Sequence, residues 1–544
     1  MRPQYSSRKI LNLNSFQPVC FRKFLLHSLA LNGLLRPSRP EPGFLQVRLR
    51  RPPVRLITTE TKEWLKYEVK TGLKYSIIIT VTGIFLVIMA SGIQEEYRAR
   101  IYPTPDEWNW NTRLQFRAAR AREESEDPWM KNWMAIGNSY KNVIEKLEDP
   151  MGEGQGICEQ VDNVLEIPVK ISRRTGFDIS QKSEAWRRGY YEVLTGLVRV
   201  AEHLDNHVRS KRKISNLTWP ANSVLGPSNL RPRPVPIGMP PPPEEKDCAA
   251  AFEAPDVYYY QILTTHGFTE KQKVDAAISY GLWLDFKGET DLAQKIYKWA
   301  VDKANSNSVS RSAVVDPSTG IINNSKGFAS ENILSATTAL ALHYAIHSKV
   351  ELALPIFISI LRARKSLPET PTTLLSTLNQ VEEDSESIPS RAIALIREYA
   401  KPPKYPQPPS DGTTPPYRDA KERCEEAGVM LYIGEILFAT SNAKSSQENG
   451  LAWTREAVDA AETELRQKKI NTDARKTCKQ CLEVGLQNWT VMVEKLGREE
   501  KEKIKSLSYS WLNFGNQKSD LDRWEREKEV IQGRVIRAGS ILNE

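Results

Sequence analysis

Acidic residues are nearly missing from the first 57 positions. Glu41 stands alone there against eleven basic residues: Arg2, Arg8, Lys9, Arg22, Lys23, Arg36, Arg39, Arg48, Arg50, Arg51 and Arg55. This segment therefore carries +10 of a formal chain charge of +9, which leaves residues 58–544 at −1. A neutral body has no basic face with which to hold nucleic acid, so no nucleic-acid partner is expected. Cysteine is scarce: Cys20, Cys158, Cys248, Cys424, Cys478 and Cys481 fall at irregular spacings, so no disulfide framework or zinc set is expected. Cys478 and Cys481 form a CxxC, but they share one face of a helical pattern. Packing in a helix interface is the favoured reading there, with redox or metal chemistry as the alternative.

Catalytic motifs are missing too. No GxSxG or kinase set occurs, and Gly152–Gly156 lacks both the preceding strand and the following Lys-Ser/Thr of a phosphate cradle. That stretch is read as a flexible loop. His203 with His207, and His343 with His347, are i,i+4 pairs on helical stretches, but neither is HExxH and no third ligand is evident. They are read as structural or surface histidines. Alternating apolar runs are almost absent, so there is no strand framework to display a site. No catalytic, cofactor-binding or metal-binding residue is assigned, and the chain is not expected to be an enzyme.

What is present begins with the leader. A basic, Ser-containing, almost acid-free amino terminus is how a mitochondrial transit peptide is built, and residues 21–35 supply an apolar face for it. Arg55-Leu56-Ile57-Thr58 looks like a matrix-peptidase site, so cleavage near Ile57 is expected; a basic arm without structure is the alternative. Residues 75–93 (YSIIITVTGIFLVIMASGI) carry no charge. At 1.5 Å per residue they make about 28 Å of helix, close to the roughly 30 Å hydrocarbon core. One transmembrane helix is expected, and no later run matches it. Flanking Lys and Glu barely vote on orientation. Import order places the amino terminus in the matrix and the large body in the intermembrane space.

The rest reads as helices joined by long loops, an all-α body. Mean hydropathy is −0.48 and the apolar fraction 40%, enough to bury a core in water. Trp133, Gly137 and Tyr140 fit the first-helix signature of a tetratricopeptide repeat. In residues 274–304, Gly281 takes the small position of a first helix, and Ala293, Tyr297 and Ala300 give the small–aromatic–small spacing of a second. Residues 334–364 repeat this with Ala341 and Tyr344, then Ala353 and Phe357. Pro355 inside that second helix predicts a late start or a kink. Weaker units carry Gly434, and Gly485 with Trp489. A generic antiparallel helical bundle is the competing reading. Ala293 and Ala353 lie 60 residues apart rather than thirty-four, so insertions at 305–326 and 367–389 are required and the solenoid is short and decorated.

Proline-rich stretches at 217–243 and 401–416 cannot continue helices and are read as solvated linkers. With them the chain divides into a transit peptide (1–57), the span (75–93), an amino-terminal helical region (108–216), a tetratricopeptide-like region (244–400) and carboxy-terminal repeats with a capping helix (417–544).

The leader, the single span, the Tyr102-Pro103-Thr104-Pro105-Asp106-Glu107-Trp108 junction and the repeat positions Gly281, Ala293, Tyr297 and Ala300 together resemble fungal mitochondrial inner-membrane repeat proteins. The nearest type is the substrate-adaptor subunit of the i-AAA protease complex. The resemblance implies a chain without peptidase or ATPase residues that binds unfolded or misfolded proteins and delivers them to a membrane AAA protease. A scaffold for an inner-membrane complex, or an outer-membrane import receptor, are the alternatives.

Overall fold

The computed structural model describes residues 59–127, 131–160, 175–212, 216–306, 314–369, 404–440, 443–467, 470–506 and 514–543. The expected transit peptide lies outside them, as does most of 367–389. The apolar run at 75–93 folds within one long helix, α1 (Thr59–Ile101), of 43 residues. At 1.5 Å per residue this is about 64 Å, roughly twice the hydrocarbon thickness, so its apolar middle alone matches a bilayer. The helix overruns the apolar run because good helix formers (Glu, Lys, Leu, Arg) flank it. On its carboxy-terminal side the i,i+4 pair Glu96–Arg100 at 2.8 Å adds support. Side chains of the apolar stretch are exposed, Ile79 to 70% and Val87 to 66%. Among the described residues this is the helix long and apolar enough to cross a membrane. The chain divides into two units, 1–85 and 86–544, within this helix.

Residues 86–544 are mostly helical. The sequence places α2 (Trp110–Glu124) and α3 (Trp133–Glu148) before α4 (Glu184–Leu204) and α5 (Pro255–Thr264). Then come α6 (Glu270–Lys287), α7 (Thr290–Ser306), α8 (Glu331–Ile346) and α9 (Val350–Lys365). The series closes with α10 (Ala420–Thr440), α11 (Lys444–Leu465), α12 (Thr472–Ser506) and α13 (Phe514–Asn543). Starts are set by caps. Asn132, Ser183 and Ser330 each accept from a backbone N–H three residues on, and Thr269 with Gln272 forms a complete capping box. Helix α2 starts after Asn109, and Asp106 pairs with Arg113 at 3.3 Å. Helix α9 begins at Val350, five residues before Pro355, so no late start occurs. Pro355 forfeits one backbone bond near the amino-terminal end, while the buried Ala353, Ile356, Phe357 and Ile360 hold the face.

Among the described residues, five short strands interrupt the helices. β1 (Cys158–Glu159) pairs antiparallel with β2 (Phe177–Asp178). β3 (His207–Ser210) lies between β4 (Trp219–Pro220) and β5 (Cys248–Ala250), both antiparallel to it. The expected break at 217–243 is thus bridged by a small sheet, and Trp219 is buried with its indole N–H donating to the Pro240 carbonyl at 3.0 Å.

Extensive packing runs between sequence neighbours from α2 to α7, then α7 on α8, α8 on α9, α9 on α10, and α10 through α13. Alternate helices also touch, α6 on α8 and α10 on α12. The buried apolar residues form one continuous cluster from Trp108 to Ala538. Two charge sets fix joints within it. Arg199 of α4 binds Glu123 of α2, whose carboxylate also accepts from Tyr140 of α3 at 2.6 Å. Arg364 of α9 donates to Glu422 of α10. Arg364 and Glu422 are both buried, so removing either costs about 3–5 kcal/mol, because the other charge is stranded.

Candidate functional site

The small and aromatic residues singled out in the sequence are in the core, apart from Trp133, which is half-buried against it. A Cβ placed on Gly281 would meet the Tyr297 ring at 2.6 Å, so α6 and α7 approach where only hydrogen fits. Ala293, Ala300, Ala341, Ala353, Phe357 and Tyr344 are buried. Phe357 stacks on Tyr432 of α10, ring centres 5.4 Å apart, which joins α9 to the next hairpin. In α3, Tyr140 fills the space over Gly196 of α4, Gly137 faces Val200 and Phe252, and Trp133 stacks on His203 at 3.8 Å. Gly434 lies against the carbonyl of Gly450 in α11, and Gly485 of α12 lies against Val458 and Leu431. These positions build the scaffold and leave the surface to other residues.

The two turns α6–α7 and α8–α9 are the same turn. Gly288 N–H donates to Asp285 O and Glu289 N–H to Leu284 O; Ser348 N–H donates to Ala345 O and Lys349 N–H to Tyr344 O. Each bond recurs 60 residues on, as does the bond from Ala293 to Glu289 in that from Ala353 to Lys349. This is the Schellman closure, with its left-handed residue at Gly288 (φ 85°) and at Ser348 (φ 59°).

Between these hairpins lies a polar cluster that the sequence did not reveal. Asp285, in the last turn of α6, meets both histidines at the carboxy-terminal end of α8. His343 Nδ1 is 2.9 Å and His347 Nε2 3.0 Å from the same oxygen, Asp285 Oδ1. The other oxygen accepts the Tyr297 hydroxyl at 3.2 Å. His343 is buried and His347 half-buried. Burial holds the His343 imidazole below its ordinary pKa, outweighing the upward pull of Asp285, so it is neutral at pH 7. The other pair behaves differently. α4 ends at Leu204, so His207 lies in β3 rather than on a helix, and its Nδ1 contacts the Asp205 carbonyl.

The stretch 404–416 is tied down rather than free. Arg188 of α4 reaches the Pro406 and Gln407 carbonyls at 2.5 and 2.9 Å and lies over the Tyr405 ring at 4.2 Å. Farther along, Gly412 O accepts from Asn332 N–H at 3.1 Å, and Asn332 Nδ2 donates to Asp411 O at 2.9 Å. This strap runs from α4 to the start of α8. Beneath it lies a cavity of about 340 Å³ lined by Tyr102, Phe116, Arg120, Arg188, Glu192 and Tyr405. Burial pushes the Tyr405 phenol up to about 12.

A disulfide joins Cys424 of α10 to Cys478 of α12, where the sequence had led us to expect none. The pairing is invisible in spacing, because 54 residues separate the two cysteines and only the packing of α10 on α12, past the intervening α11, brings them together. The CxxC is therefore split: Cys481 is a buried free thiol that burial pushes up to about 12, which leaves it unreactive. Exposed apolar side chains include Phe286 (79%) and Leu282 (51%) one turn apart on α6. No family model, curated protein or solved structure matches the chain.

Proposed function

We propose that this chain is a membrane-anchored adaptor that binds other proteins through a tetratricopeptide-like body and carries no catalytic residues of its own. The observation that carries the reading is the repetition of one helical hairpin, turn bonds included, 60 residues apart and packed in series. Hairpins stacked in this way form extended surfaces suited to holding a segment of another chain. Exposed Leu282 and Phe286 on the first of them supply apolar contact of the kind unfolded chains offer in return.

Anchoring rests on α1, and the compartment rests on the leader together with Cys424–Cys478. A disulfide persists where thiols are oxidised and is rare where they are kept reduced. That favours the body facing the intermembrane space from the inner membrane, with a membrane AAA protease as the recipient of unfolded or misfolded cargo. The alternative is a scaffold for one folded inner-membrane complex.

Affinity capture from digitonin-solubilised mitochondria, with mass spectrometry of partners and of the mature amino terminus, tests this. Recovery of an AAA protease with many unrelated unfolded chains and a start near Thr58 is the expected result. One stoichiometric folded complex would replace the adaptor by the scaffold. An intact Met1 would remove the argument from import.

A further inference from the structure

We propose that Asp285, His343 and His347 form a binding site for one zinc-class divalent ion, which clasps the α6–α7 hairpin to the α8–α9 hairpin. The three donor atoms all lie within 4.8 Å of one another. Two imidazoles and one carboxylate are a donor set that borderline-soft divalent ions take, and an i,i+4 histidine pair presents both rings from one helix face. A tetrahedral ion with bonds of about 2.0–2.1 Å spaces its donors roughly 3.3 Å apart. The separations of 2.9 and 3.0 Å from Asp285 Oδ1 need only a few tenths of an ångström of expansion to reach that.

Three further features suit a cation. Asp285 and His343 sit in the last turns of α6 and α8, and His347 caps α8, so the negative ends of two helix dipoles converge there. The Tyr297 hydroxyl fixes the second carboxylate oxygen, the kind of outer support that orients a metal-binding carboxylate. His343 Nε2 is buried with no hydrogen-bond partner among the described residues, so no contact there holds the ring in one tautomer. On binding, the neutral His343 ring changes tautomer: its single proton, now on Nδ1 facing Asp285, moves to Nε2, and the ion takes the Nδ1 lone pair with no net proton released. The half-buried His347 leaves a fourth position open to water. Such a clasp stabilises the folded state by mass action and makes the hairpin joint metal-dependent. The inference is independent of the adaptor reading.

The test uses the full chain in detergent, stripped with a chelator and dialysed, then titrated with Zn2+ alone and, for its spectrum, Co2+ alone. Wild type is expected to bind one ion at this site with visible Co2+ bands of tetrahedral intensity and a raised melting temperature. His347→Gln, at the half-buried ligand, is expected to keep the metal-free melting temperature. It should weaken binding by more than the roughly 10–100-fold typical of losing an outer support. Asp285→Asn serves as the second variant should His347→Gln fold poorly. Absence of stoichiometric binding by wild type, or equal binding and equal melting shift in a folded variant, overturns the site. The exposed Cys158 is a competing ligand, and binding that Cys158→Ser abolishes while His347→Gln spares would overturn it as well.

Discussion

The hairpins α6–α7 and α8–α9 share a backbone and differ in what fills it. Their turns make the same bonds 60 residues apart. Yet Gly281 stands where the second has Ala341, Tyr297 where it has Phe357, and Gly288 where it has Ser348. In the first hairpin an aromatic ring presses on bare backbone and sends its hydroxyl to Asp285. In the second, the aromatic ring is apolar throughout and stacks on Tyr432 of the next hairpin. Backbone hydrogen bonding therefore fixes the unit, and side chains adapt each copy to its neighbours.

That comparison can be broken at several points. Phe357→Ala should cost about 3–5 kcal/mol, since a fully buried ring is lost and a cavity remains; chemical denaturation of the full chain in detergent reads it. Tyr297→Ala should fall in the same range if the two positions are equivalent, and a cost under half that of Phe357→Ala would end the equivalence. Outside both hairpins, Cys424→Ser should cost about 2–4 kcal/mol, because the disulfide closes a long loop of the unfolded chain. Reductant should lower the melting temperature of wild type and leave that variant unmoved.

Smaller effects discriminate more finely. Gly281→Ala should destabilise by about 1–3 kcal/mol, as the new methyl meets the Tyr297 ring. The reverse change at the matching position, Ala341→Gly, should cost only about 1 kcal/mol through helix propensity. Tyr297→Phe should lose about 1 kcal/mol with the bond to Asp285. At the turns the sign should invert: Ser348→Gly should stabilise by about 0.5–1 kcal/mol and Gly288→Ala should destabilise by about 1 kcal/mol, because both positions need positive φ. Thermal melts of the four single variants at these glycine and turn sites settle the order.

Much of this architecture was legible in the chain. The apolar run at 75–93 marks the long α1, and local signals such as Thr269 with Gln272 fix helix starts. The 60-residue spacing of Ala293 and Ala353 was visible as a discrepancy with the usual repeat length, and the turn bonds turn it into the true period of these two hairpins. The strap at 404–416 was not legible, because proline-rich sequence looks alike whether it is solvated or held by an arginine 217 or more positions away, as with Arg188 and Tyr405 through Gln407.

By itself, then, the sequence determined the helical class, the long apolar helix, the location of the positive charge and the residues that let helices approach. Those are local properties, set by composition and by spacing within a turn or two. The tertiary structure alone decided that Cys424 meets Cys478 and that Asp285 meets His343 and His347. Each of those meetings joins different helices 54 to 62 positions apart. Periodicity says which face of a helix is buried, whereas packing alone says what waits on the other side.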